Sequence, residues 1–154
     1  MLAANAQGSH ASGVLPRDEI AERIRRVLER RPEVLEGYLF GSVARGESQA
    51  HSDVDVAVFL EREPDTPYGY EADLTADLMA GLGMNAVDVV ILNRAPPLLY
   101  HRVLRDSVRL LARDLVATTT REGQALSRYC DWLPQQAKID AVLAERIRRG
   151  SFGR

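Results

Sequence analysis

The sequence predicts one α/β (α+β) domain, and three observations predict it. Three short apolar runs, Val34 to Phe40, Val54 to Leu60 and Ala86 to Leu92, have strand length. Helical-period stripes alternate with them along the chain. A length of 154 residues, 45% hydrophobic and 27% charged, suits one soluble domain with a real core. Residues 15–150 form that domain, and the small, polar residues 1–14 read as a disordered N-terminal segment.

Composition excludes several classes of function. No apolar run approaches the ~20 residues that span a bilayer, so no membrane role is expected. The stretch Met1 to Gly13 has no apolar core of a secretory signal. A single cysteine, Cys130, rules out an internal disulfide and a cysteine metal cluster, and the cytoplasm is the default compartment. A net charge of −2 argues against a general nucleic-acid binder. Arginines nevertheless cluster at 23–31 and 146–149. The plain reading is solvated helix faces and C-terminal turns, where cations suit the helix dipole; the other is a docking surface for an acidic partner.

Each element has its own signals. Leu15 to Arg31 reads as a helix: Pro16 suits its first turn, Asp18 and Glu19 suit its positive end, and Ile20, Ile24, Val27 and Leu28 share one face. Pro32 stops it before the first strand. A short helix is expected from Ser42, ending before Gln49, then the second strand, then a Pro- and Gly-bearing loop from Glu61 to Tyr70. Ala72 to Leu82 follows as a helix with Leu74, Leu78, Met79 and Leu82 inward and Gly83 as its stop. After the third strand come a turn at Asn93–Pro97, a helix from Leu98 to Asp106 anchored by Leu99, Val103 and Leu104, and an edge strand at Val108–Leu111. A helix from Asp114 to Asp131 should be capped by Asp114 and pack through Leu115, Leu126 and Tyr129. Pro134 is expected to break or restart it, leaving a further stripe of Ile139, Val142, Leu143 and Ile147. Cys130 and Trp132 read as packing residues.

The chemistry concentrates between the first two strands. Gly41-Ser42 is followed, after ten residues, by Asp53-Val54-Asp55. Alternation along a strand turns Asp53 and Asp55 to one face, where two carboxylates repel unless a cation lies between them. A Gly-Ser turn opening a helix offers free N–H groups and a hydroxyl to a phosphate, and glycine permits close backbone approach. Asp88 breaks the apolar third strand, a costly placement unless paired or metal-bound. Arg45 suits either a salt bridge with Glu47 or a neighbouring acid, or a contact to phosphate or one that holds the motif helix, and His51 reads as a loop histidine.

The string from Gly41 to Asp55, GSVARGESQAHSDVD, resembles the signature of the polymerase-beta-like nucleotidyltransferase superfamily, in its minimal (MNT) branch. The resemblance runs over about residues 17–140, and only the motif itself is highly specific. It implies a small mixed sheet with helices on one side and a helical C-terminus. It implies Asp53, Asp55 and Asp88 as catalytic carboxylates holding two Mg²⁺ ions, with Gly41, Ser42 and Arg45 on the nucleotide, ATP. MNT proteins of this size are commonly paired with a HEPN ribonuclease toxin, so the resemblance implies an antitoxin that moves AMP from ATP to a tyrosine of that toxin. Two other readings stay open: a small-molecule, antibiotic-type nucleotidyltransferase, and an antitoxin acting by contact alone. Val43 departs from relatives that carry a larger or basic residue there, which bears on contacts to nucleotide or partner.

Overall fold

Four strands in the order β3-β2-β1-β4 form the platform in a computed structural model that describes residues 15–47 and 52–149. The chain runs α1 (Arg17–Glu29), β1 (Val34–Phe40), α2 (Gly41–Arg45), β2 (Val54–Leu60), α3 (Tyr70–Leu82) and β3 (Val87–Ile91). A 3₁₀ turn at Leu92–Arg94 leads to α4 (Pro97–Asp106), β4 (Val108–Ala112) and α5 (Leu115–Arg148). The expected disordered segment, His51 and the last five residues lie outside the described residues.

β1 pairs antiparallel with β2 and with β4, whereas β2 and β3 are parallel. A parallel pair needs a crossover, and α3 supplies it. One sheet face, with Val54, Val56, Val58, Val87, Val89 and Ile91, packs against Ile20, Ile24 and Leu28 of α1 and Leu74, Leu78 and Leu82 of α3. The opposite face presents Tyr38, Ala57, Phe59 and Val90 to Tyr100 and Val103 of α4 and Ala125 of α5. Helices therefore flank the sheet on both sides, not on one, because both strand faces carry apolar side chains that need cover.

Local signals worked as expected in most elements. Gly83 ends α3 with a left-handed φ of 68° and donates to Met79. The Asp114 side chain caps α5, accepting from the Ala117 N–H at 3.0 Å. The threonine run is accommodated because the Thr119 and Thr120 hydroxyls donate to the carbonyls of Leu115 and Val116. The arginines of α1 are taken up by Glu19 and Glu22, and Arg148 and Arg149 by Glu145.

The structure corrects the C-terminal reading. α5 is one helix of 34 residues that passes through Pro134 without a break. Proline removes one helical hydrogen bond, and turns intact on either side carry the helix on through an exposed position. Leu115 and Leu126 are exposed, as is Cys130; the residues that α5 buries are the small Thr118 and Ala125, which allow close approach to α4 and the sheet.

A polar network crosses that interface. Glu36 in β1 is fully buried and ion-paired with Arg121 of α5. The Tyr38 hydroxyl lies 2.9 Å from carboxylate oxygens of both Glu36 and Glu122, and Arg109 pairs with Glu122 at 2.7 Å. Burial, then the Glu36 charge, pushes the Tyr38 phenol far above its ordinary range, so it remains a hydrogen-bonding hydroxyl. Arg121→Ala strands the Glu36 charge and is expected to cost about 3–5 kcal/mol of stability in urea unfolding. Replacing Glu36 and Arg121 together by leucine is expected to cost less than the single change.

Candidate active site

The site is built where β1 ends and β2 and β3 begin. β1 terminates at Phe40, and Gly41 turns the chain directly into α2. Val43 and Ala44 plug into the α1/α3 core and anchor this five-residue helix. Ser42 and Arg45 remain partly or fully exposed beside the sheet end. Gly46, with φ at 74°, closes α2 by donating to the Val43 carbonyl at 3.1 Å. Val43 is thus a core residue, and its departure from the family pattern is a matter of packing.

Gly41 is required twice over. Its φ of 74° lies in the left-handed region, and a Cβ built there falls 2.0 Å from a carboxylate oxygen of Asp55. Phe40 is the register partner of Asp55, so the turn and the carboxylate are held together by sheet pairing.

Asp55 is also the register partner of Asp88 on the parallel strand β3. Register partners turn their side chains to the same face, and Asp53 precedes Asp55 by two residues, so all three carboxylates share one side. That side is the α4/α5 face, since Val54, Val56, Val87 and Val89 point into the other core. Asp53 and Asp88 are exposed, and Asp55 is partly buried. Burial, then the charges of Asp88 and Asp53, hold the Asp55 carboxyl above the ordinary carboxylate range, against the opposing charge of Arg45. Among the described residues no three His, Cys, Asp or Glu side chains are arranged to hold a metal ion alone. The trio is an open, mutually repelling set, suited to ions whose remaining ligands come from a phosphate-bearing substrate.

Arg45 is occupied by Glu47 at 2.8 Å and approaches Asp106 of α4 at 4.0 Å. The rim beyond it was not legible in the chain. Asp106 is held by Arg105 at 2.6 Å, and His101 of α4 stacks on Tyr129 of α5 with ring centroids 3.9 Å apart. His101 and Tyr129 meet only through the packing of α4 on α5, and their spacing carries no local signal.

Residues 22–115 match the family described as polymerase beta, nucleotidyltransferase. The chain belongs to that family. This nucleotidyltransferase is similar to a crystal structure of a toxin–antitoxin with AMP-PNP, at 26% identity and a TM-score of 0.68, covering 80% of this chain and 98% of that one. It is similar to an MNT antitoxin in complex with a tri-AMPylated HEPN toxin of Shewanella oneidensis, at 25% identity and a TM-score of 0.65, covering 82% and 98%. It also resembles a minimal nucleotidyltransferase at 32% identity and a TM-score of 0.51, covering 66% and 98%. No curated protein sequence matches it. Among the described residues no helix of this nucleotidyltransferase is long and apolar enough to cross a membrane.

The raised Asp55 pKa sets the sign of a pH effect. A carboxyl raised above its unfolded value of 3.8 adds stability below that pH, and the contribution is lost as pH rises through the folded value. In chelator, Asp55→Asn is therefore expected to raise the melting temperature at pH 7, with the gain vanishing below about pH 3.8. Gly41→Ala is expected to destabilise by at least about 1–2 kcal/mol, because alanine disfavours the left-handed turn and collides with Asp55.

Proposed function

We propose that this nucleotidyltransferase is an Mg²⁺-dependent protein adenylyltransferase, the cytoplasmic antitoxin of a HEPN toxin, which transfers AMP from ATP to a tyrosine of that toxin. The observation that carries the nucleotidyl chemistry is the in-register pair Asp55 and Asp88, with Asp53, set against a turn where Gly41 leaves no room for a side chain. The acceptor is supported by the similarity to MNT antitoxins in complex with HEPN toxins.

Asp53, Asp55 and Asp88 would hold Mg²⁺, which relieves their repulsion and neutralises phosphate charge when bound. Ser42 and the N–H groups following Gly41 contact the β- and γ-phosphates. Arg45, paired with Glu47 at the exposed end of α2, places a positive charge that reaches Asp55 beside the nucleotide phosphates. The acceptor hydroxyl oxygen attacks the α-phosphorus in line, the bond to pyrophosphate breaks, and Asp88 takes the hydroxyl proton. All three carboxylates are present, which favours transfer over inhibition by contact alone.

The test is intact-mass spectrometry of the HEPN partner after incubation with this protein, ATP and Mg²⁺. A gain of whole AMP units is expected, falling at least about 100-fold in rate with Asp53→Ala or Asp55→Ala, because transition-state charge is then left unneutralised. Chelator is expected to abolish the gain. Suppression of the toxin without any mass gain points to a contact antitoxin; neither effect points to a small-molecule acceptor.

A further inference from the structure

Asp106 stands where a helix gains nothing from an acid. It is the last residue of α4, at the negative end of the helix dipole, where a carboxylate is disfavoured. Basic groups converge on it there. Arg105 donates to both carboxylate oxygens, Nε to Oδ1 at 2.8 Å and Nη2 to Oδ2 at 2.6 Å. Arg45, from α2, brings Nη1 to 4.0 Å from the same Oδ2. Arg105 first, then the charges of Arg45 and His101, hold the Asp106 carboxyl below its ordinary range. Arg45 meets two acids, and Asp106 is the more enclosed, with 21% of its side chain exposed against 63% for Glu47.

Arg45 and Arg105 therefore meet on one oxygen, close enough to repel each other. The shared carboxylate offsets that repulsion and holds the two guanidinium groups together at the rim of the site. Arg45 follows Ser42 by three residues on α2, so the two share a helix face. Its charge also reaches Asp55. Two cations beside three carboxylates suit a polyanion that arrives with divalent metal ions, because guanidinium groups take some of its oxygens and the ions take others.

We infer that Asp106 is a positioning residue for the nucleotide, holding Arg45 and Arg105 together as a two-cation grip on its triphosphate. This rests on the nucleotidyl-transfer reading given above, and adds to it an acid and a second arginine that lie outside the Gly-Ser and Asp-x-Asp motif. Asp106 acts through the arginines. Its own charge works against the ligand, and that opposition makes the role measurable. The field of Asp106 alone predicts that removing the charge tightens a polyanion, whereas positioning predicts that it weakens one.

Calorimetry on the full-length protein with Mg²⁺ measures the affinity of ATP and of inorganic tripolyphosphate, which carries the charges without the base. Asp106→Asn, nearly equal in size, is expected to weaken both at least about threefold, and Asp106→Glu to weaken them less. Arg105→Ala is expected to weaken both as well; Arg105 is exposed, so this variant probes the grip without disturbing the packing of α4. In a protein carrying Arg45→Ala with Arg105→Ala, Asp106→Asn is expected to weaken neither ligand further, whereas a residue that only supports the fold keeps its effect there. Equal or tighter binding by Asp106→Asn overturns the role of Asp106 and leaves the nucleotide reading standing. So does an undiminished loss in the background without the arginines, or wild-type affinity in Arg105→Ala. A wild-type protein that binds neither ligand overturns the nucleotide reading, and the role of Asp106 with it.

Discussion

Repulsion between carboxylates on neighbouring strands is the constraint around which this molecule is arranged. Asp55 and Asp88 are held side by side by parallel pairing of β2 and β3, although their charges oppose it. What secures the pairing lies on the other side of the sheet. There the valines of both strands meet the leucines of α3 in a dry core. Slipping the register by one residue would turn those valines towards solvent and the aspartates into the core. The apolar face thus fixes the polar one, and holds the carboxylates together against their repulsion.

The same logic explains the entry to the site. Sheet pairing of Phe40 with Asp55 brings the turn at Gly41 against a carboxylate, so the Gly-Ser turn and the acidic trio are held as one unit. α2 is too short to be stable alone, and its position comes from Val43 and Ala44 sunk in the core. Rigidity at the site is therefore borrowed from hydrophobic packing rather than built from polar contacts within it.

Much of this was legible in the chain because it is local. Strand length, the Gly-Ser turn, the Asp-x-Asp alternation and the acidic break at Asp88 are each read within a few residues. What was illegible depends on distant partners. Glu36 looks like an ordinary strand residue until Arg121 arrives from 85 positions away. Leu115 and Leu126 have the apolar character of packing residues, yet the contact is made by Thr118 and Ala125, because closeness of approach mattered more than hydrophobic size. The helix also ran through Pro134, since a single missing hydrogen bond is a smaller loss than ending a helix whose later turns remain intact.

That proline divides α5 into two mechanical parts. Pro134 offers no N–H to the carbonyl one turn earlier, at Cys130, so the backbone ladder has a single missing rung there. The segment before it is clamped by Ala125, Arg121 and Glu122 to the sheet that bears the aspartates. The segment after it buries no residue in the domain. The inner half of the helix alone ties it to the strands that bear the carboxylates, and the outer half stands clear of them.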